Sequence, residues 1–183
     1  PSVESHRQLV ERFLHFNPKT IQYLDRARDQ RVFKQWWSNA YYLGLHYTYV
    51  GLYPEARNTW LALLADQKAP PRGHHLSVLG HLGLGQLELR ESTTDESRQR
   101  ALVHFRAAYS VLDLGQSYRS GGAAAGCYVA EFEAEVGQNG KALAVFRRLM
   151  KESDQRTNGL LDYAKSRVEE LETKNGSSTS FGR

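Results

Sequence analysis

The chain has 183 residues, with 24 basic and 20 acidic side chains and a formal net charge of +4. This length is enough for one domain with a sizeable core, and no window holds the roughly 20 consecutive apolar residues of a membrane span. The basic residues are spread along the chain and form no stripe interleaved with aromatics, so nucleic acid is not predicted as a partner.

The chain contains a single cysteine, Cys127. This count excludes an intrachain disulfide and any metal cluster built on several cysteines. We expect Cys127 to behave as a small buried hydrophobe and not as a reactive thiol. The lack of disulfides favours a cytoplasmic location, while the start at Pro1 instead of methionine leaves a processed, exported chain open.

Two helices are predicted at the start of the chain. The first covers residues 2–16 and carries apolar side chains at three- and four-residue spacing. Asn17 and Pro18 break it, and Pro18 is suited to the first turn of a second helix. We expect both helices to flank the rest of the domain.

Residues 40–70 predict an antiparallel helix hairpin. Large apolar residues recur at helical spacing through residues 37–49, a pattern typical of a helix buried on more than one side. Gly51 is expected to end this helix in the left-handed conformation, and Pro54 suits the first turn of the next one. The proline pair at 70–71 then stops the second helix.

This hairpin resembles a tetratricopeptide repeat. Leu43, Gly44 and Tyr47 give the pattern L-G-x2-Y, and Ala56 with Trp60 gives A-x3-aromatic. The resemblance implies an all-α, right-handed solenoid of helix hairpins in which the first helix of each repeat lines a concave groove. Glycine costs roughly 1 kcal/mol inside a helix, so we expect Gly44 to allow a close approach of the partner helix, opposite Ala56.

A second hairpin is predicted to begin with a helix over residues 74–90. Its Leu-Gly position falls either at residues 79–80 or at residues 82–83, and the pattern leaves this register open. Ala101 and Phe105 repeat the A-x3-aromatic signature. A polar insertion at residues 91–97 separates the two helices and lengthens the repeat.

A third hairpin and a final helix complete the predicted domain. Val129 and Ala130 take the Leu-Gly position, and Ala142 with Phe146 closes the signature, after a loop at residues 113–122 and a turn at residues 137–139. The signature alanines are 45 and 41 residues apart, against about 34 in the family, a difference that we ascribe to the longer loops.

The final helix is predicted from about residue 158 to residue 173. Its apolar residues share one face and its charged residues lie elsewhere, as expected of the capping helix of a solenoid. Residues 1–174 are therefore predicted to form one domain, with about three repeats between flanking N-terminal helices and this cap. The Ser- and Gly-rich residues 175–183 are predicted to be a disordered tail.

The resemblance implies a partner-binding groove. Chaperone-binding members of the family hold a C-terminal carboxylate with lysine, arginine and asparagine at groove positions, but here tyrosine, leucine and threonine occupy them. A tyrosine-lined groove suits an apolar or amphipathic peptide or helix. The alternative is that these tyrosines pack against the two N-terminal helices. The groove residues predicted by alignment are Tyr41, Tyr42, Leu45, Tyr49, His81, Tyr128 and Glu131.

The function predicted from the sequence is a non-enzymatic interaction scaffold or adaptor with a protein or peptide partner. Catalytic residues are not predicted, because no paired carboxylates and no Ser/His/Asp or Cys/His set stand at informative spacing. Metal and cofactor sites are not predicted either, since His74, His75 and His81 lack a carboxylate or thiol at ligand spacing. The alternative is a regulatory or sensor domain of a multidomain protein that binds a small effector or gates a neighbouring domain. Self-association is left open.

Overall fold

A computed structural model describes residues 36–65, 73–110, 119–152 and 158–178. This part of the chain is all-α, as predicted, and contains helices and short turns without strands. The two helices predicted near the start of the sequence lie outside it. The helices are α1 (Trp36–Val50), α2 (Tyr53–Ala65), α3 (Gly73–Glu91), α4 (Asp95–Ser110), α5 (Arg119–Glu135), α6 (Asn139–Glu152) and α7 (Asn158–Ser178).

Each of these helices packs against the next one in the chain. A second set of contacts joins α1 to α3, α3 to α5 and α5 to α7, whereas α2, α4 and α6 form no comparable row among the described helices. The odd-numbered helices therefore lie side by side in one layer, and the even-numbered helices cover that layer from one side.

The turns after α1 and α5 have the same construction. Gly51 and Gly137 adopt positive φ angles of 84° and 76°, a conformation that costs glycine little. The amide of Leu52 donates to the carbonyl of Tyr47 at 2.9 Å, and the amide of Gln138 donates to that of Glu133 at 2.8 Å. The predicted left-handed end of the first helix at Gly51 is thus confirmed.

The connection from α3 to α4 is shorter than predicted. The polar segment at residues 91–97 was expected to be a loop, but residues 95–97 form the first turn of α4. Thr94 caps this helix, because its hydroxyl accepts the amide of Ser97 at 3.2 Å. Asp95 and Glu96 add negative charge at the positive end of the helix dipole.

Two other predicted boundaries also differ from the structure. Helix α5 starts at Arg119, inside the segment predicted as a loop at residues 113–122. Gly121 lies against Val78 of α3, so packing against the neighbouring helix accounts for its helical conformation. Helix α7 continues to Ser178, past its predicted end at residue 173, and an ion pair of 2.6 Å between Lys174 and Glu170 supports this last stretch.

The core of the first hairpin is built around Trp60. A Cβ atom at Gly44 would lie 2.7 Å from its ring, and one at Gly83 would also collide with it, so the indole lies between α1 and α3. The predicted close approach at Gly44 is confirmed, but Trp60 and not Ala56 faces the glycine. The indole N–H donates to the Thr48 hydroxyl at 3.2 Å, which satisfies the one polar atom of this buried ring.

A search of the described residues for membrane-spanning segments found no helix that combines the necessary length and apolar character.

Candidate functional site

The contact between Phe105 and Gly85 determines how α3 pairs with α4. A Cβ atom at Gly85 would lie 2.5 Å from the Phe105 ring, in the same relation that Gly44 has to Trp60 within the first hairpin. The glycine of α3 that faces the aromatic residue of the next helix, as Gly44 does, is therefore Gly85, whereas the sequence had left residues 79–80 and 82–83 open. Gly80 and Gly83 instead face the preceding helix, against Leu64 and Trp60.

This register changes which residues of α3 correspond to the groove positions of α1. Leu45 and Tyr49 follow Gly44 by one and five residues, and the same spacing from Gly85 leads to Gln86 and Arg90. The prediction had assigned His81 to the groove. Positions 81 and 90 lie on opposite sides of α3, since nine residues correspond to two and a half helical turns.

Tyrosines from α1 and α5 lie close to this side of α3. The guanidinium carbon of Arg90 lies 4.0 Å from the centroid of the Tyr49 ring, within the range of a cation–π interaction. The amide nitrogen of Gln86 donates to the Tyr128 hydroxyl at 3.4 Å. We refer to the following six residues as the tyrosine cluster: Tyr41, Tyr42, Tyr49, Gln86, Arg90 and Tyr128.

Aromatic contacts tie this cluster to the core beneath it. The Tyr128 ring stacks on Phe105 with a centroid separation of 4.2 Å and an interplanar angle of 5°. Tyr41 packs edge-on against both Trp60 and Tyr42, with centroid separations of 5.8 Å and 5.6 Å. The ring of Tyr42 lies at the surface and is 37% exposed. The cluster thus presents aromatic surface on a rigid base.

The hydroxyls of Tyr41, Tyr49 and Tyr128 stay protonated at neutral pH. Burial raises the pKa of Tyr41 to about 12, and the neighbouring Tyr42, Tyr49 and Tyr128 add to the rise. Burial likewise raises the pKa of Tyr49 and of Tyr128, although the charge of Arg90 works in the opposite direction at both. Each hydroxyl can therefore donate a hydrogen bond as well as accept one.

Glu131 lies next to the cluster but is directed to α7. Its carboxylate accepts hydrogen bonds from Arg167 Nε at 2.7 Å, from Arg167 Nη2 at 2.8 Å and from the Tyr163 hydroxyl at 2.7 Å. The bidentate pair with Arg167 neutralises the carboxylate and joins α5 to α7. The carboxylate of Glu131, one of the predicted groove residues, therefore already has hydrogen-bond partners within the chain.

Two other predicted groove residues lie elsewhere. Leu45 is only 1% exposed and belongs to the apolar core of the first hairpin, because α1 is covered on more than one side. His81 faces α4, where its Nδ1 lies 3.0 Å from Nδ1 of His104, so that one ring donates and the other accepts. The prediction for His81 relied on one of two possible registers of α3, whereas the prediction for Leu45 relied on its spacing from Gly44 in α1.

The acidic residues of α3 and α5 are all paired with arginines. Glu88 is 3% exposed and accepts hydrogen bonds of 2.7 Å from Arg57 of α2 and from Arg100 of α4. Arg90, by contrast, has no carboxylate partner among the described residues. The remaining pairs are Glu91 with Arg57, Glu131 with Arg167, Glu133 with Arg106, and Glu135 with Arg98.

Cys127 is buried beside the cluster. Burial, together with the nearby Glu131 carboxylate, raises the pKa of its thiol to about 12. A thiol with so high a pKa carries almost no thiolate at neutral pH and is a poor nucleophile. The prediction of a small buried hydrophobe at this position is confirmed. Within the described residues, no group of three or more histidine, cysteine or acidic side chains could hold a metal ion.

In the part of the chain that the structure describes, the fold is all-α and gathers tyrosines from two helices around a polar side of a third. Comparison of the chain with protein-family models, with curated proteins and with solved structures found no match.

Proposed function

We propose that this chain is a non-enzymatic interaction scaffold built of tetratricopeptide-like helix hairpins. The row of contacts among α1, α3 and α5 supports the proposal, since first helices of successive repeats would lie side by side in such a solenoid. The matched contacts of Trp60 with Gly44 and of Phe105 with Gly85 support it further. The equivalent turns at Gly51 and Gly137, which follow the first helices of two hairpins, also support the proposal. In this arrangement α7 is the capping helix.

The tyrosine cluster is the proposed binding surface, and its partner is an apolar or amphipathic peptide or helix. The observation that carries this proposal is the convergence of Tyr49, Arg90 and Tyr128 from three first helices. Residues that are distant in sequence have thereby formed one aromatic surface. Tyrosine offers a large contact area together with one hydrogen-bonding tip, and it is enriched among the residues that dominate binding energies.

The underlying packing supports binding with little rearrangement. Tyr41 is held by Trp60, and Tyr128 by Phe105, so that both rings are positioned before a ligand arrives. A surface that is already ordered loses little conformational entropy when it binds. An amphipathic helix could place apolar side chains over these rings and polar ones towards the tyrosine hydroxyls and the Gln86 amide.

A selection of peptides from a random displayed library tests this function with the full chain. We expect enriched peptides to carry apolar residues at three- and four-residue spacing. In the Tyr42→Ala variant, affinity for a selected peptide should fall about fivefold or more, as for the truncation of an interface anchor. Leu61→Ala is the matched control, because Leu61 is an exposed apolar residue of α2, away from the cluster.

Circular dichroism and thermal unfolding would show that each variant keeps its fold. The combined Tyr42→Ala and Tyr49→Ala variant extends the test to the ring that contacts Arg90. Equal peptide affinities in wild type and in both tyrosine variants would rule out the cluster as the binding surface. If peptides do not bind and a small molecule stabilises the fold, a sensor domain would be the better description.

A further inference from the structure

Arg90 is the one lysine or arginine of α3. Its guanidinium lies over a tyrosine ring, as does that of Arg148 of α6, which lies 5.2 Å from the centroid of Tyr109. Arg57, Arg98, Arg100, Arg106, Arg147 and Arg167 each pair with a glutamate. The guanidinium of Arg90 instead lies over the Tyr49 ring, and its side chain is exposed.

The position of Arg90 leaves part of its hydrogen-bonding edge available, beside its hydrogen bond with Tyr49. A guanidinium that stacks on an aromatic face uses its flat side for this contact, while its N–H groups point outward in the plane. The Tyr53 hydroxyl donates to the Arg90 carbonyl at 3.2 Å and so fixes the end of α3 on which Arg90 stands. The nearest carboxylates on α3, those of Glu88 and Glu91, are held by Arg57 on another side of the helix.

A second hydrogen-bond donor lies in the cluster. The Tyr128 oxygen accepts from Gln86, which leaves the Tyr128 proton for another acceptor. No ion pair joins Arg90 to a carboxylate of the described helices. The surface therefore combines an exposed positive charge with a hydroxyl donor and apolar rings.

We propose that the peptide bound by the tyrosine cluster carries a carboxylate that pairs with Arg90. This inference rests on the proposed function and specifies the chemistry of its partner: an amphipathic segment with aspartate or glutamate next to its apolar face. Charge complementarity supports this choice, because an acidic group would supply the partner that Arg90 lacks, and a bidentate carboxylate suits the guanidinium edge. The apolar part of the segment would cover Tyr42 and Tyr128.

Arg90 would then act as a specificity-determining residue. Peptides with a basic residue at the same place would be rejected, since they would put two positive charges together in a partly desolvated surface. The pairing would also increase the rate of association at low salt, because an exposed charge attracts its opposite over about a Debye length.

The test uses the full chain and two synthetic peptides derived from the display selection. One has glutamate at the position facing Arg90 and the other has glutamine, and both have blocked ends to exclude a terminal carboxylate. We expect isothermal titration calorimetry to show about five- to tenfold tighter binding of the glutamate peptide. In Arg90→Gln this preference should disappear, whereas Arg147→Gln, which removes an exposed arginine of α6, should keep it.

The outcomes separate this inference from the proposed function. If peptides bind the cluster but glutamate and glutamine bind equally, the carboxylate partner is wrong and the binding function stands. If no peptide is enriched, both are wrong. Tight binding only of a third peptide, the glutamine version with an unblocked C-terminus, would assign Arg90 to a terminal carboxylate and contradict the side-chain assignment. If light scattering shows a dimer that the Arg90→Gln substitution dissociates, the cluster is an interface between two copies of the chain and not a peptide-binding surface.

Discussion

The core of the first hairpin and the tyrosine cluster both depend on aromatic rings, but they use them differently. Trp60 is fully buried between two glycines, and its one polar atom is satisfied by Thr48. Tyr42 is exposed, and Tyr49 lies beneath an arginine that has no carboxylate partner in the described helices. The first set of rings holds helices together, and the second set offers surface.

This difference shows where stability and binding should separate. Replacement of a ring packed between helix backbones leaves a cavity that the surroundings fill only in part. Replacement of a ring at the surface removes contact area for a ligand and costs the fold little.

Trp60→Ala is expected to have the largest effect. The loss of this buried ring should reduce the free energy of unfolding by about 3–5 kcal/mol, because it leaves a cavity between Gly44 and Gly83. Denaturant unfolding would measure the change, with Leu61→Ala as a neighbouring control whose side chain is 48% exposed. A loss below about 1 kcal/mol for Trp60→Ala would contradict the packing described for the first hairpin.

Glu88→Gln is expected to have an intermediate effect that depends on pH. Burial tends to raise the pKa of Glu88, but hydrogen bonds from Arg100 and Arg57 outweigh it and lower the pKa. The ionised carboxylate therefore stabilises the fold above the ordinary pKa, and this contribution is lost as the pH falls through the lower, folded value. The free energy of unfolding of the variant should be about 1–3 kcal/mol lower than that of the wild type at neutral pH. It should also fall less steeply as the pH is lowered.

Unfolding measured between pH 7 and pH 3 would test this difference. Glu96→Gln is the control, since Glu96 contacts the same arginine at 3.4 Å but is 86% exposed. Equal losses of unfolding free energy in the two variants would show that the buried position of Glu88 does not contribute to stability.

The His81–His104 pair is expected to have the smallest effect. Burial lowers the pKa of both rings. The neighbouring His104 lowers the pKa of His81 further. At His104, the charge of Glu88 raises the pKa and that of Arg57 lowers it, but burial dominates. Neutral histidine is thus favoured in the fold, so stability is present above about pH 6.5 and falls as the pH drops below it. His104→Gln should reduce this loss, which we expect to be under about 1 kcal/mol.

Nuclear magnetic resonance titration of the two rings gives the direct measurement. An ordinary or raised pKa at either ring would contradict the buried contact between α3 and α4.

Local spacing predicted the first hairpin but left the register of α3 open. Local rules sufficed for the turn at Gly51 and for the apolar helices, because each depends on residues close in the chain. In α3, three Leu-Gly dipeptides compete for the contact with α4. Gly85 precedes Phe105 by 20 residues, whereas Gly44 precedes Trp60 by 16. A correction of four residues for the polar insertion would have pointed to residues 84–85 and so to Gln86 and Arg90.

The start of α5 and the pairing of Glu131 depend on contacts between distant helices, which the spacing of residues along the sequence does not reveal. The loop predicted at residues 113–122 is partly helical, because Gly121 packs against Val78 of a different hairpin. Glu131 was predicted as a groove residue, but Arg167 and Tyr163 of α7 hold its carboxylate. Pairings across about 30 residues are set by the tertiary arrangement and not by local sequence.

The most direct test of the account is the titration of a selected peptide into the isotope-labelled full chain, followed by nuclear magnetic resonance. We expect chemical-shift changes at Tyr42, Tyr49, Arg90 and Tyr128, with little change at His81. Changes centred on His81 and Leu61, with none at Arg90, would contradict it.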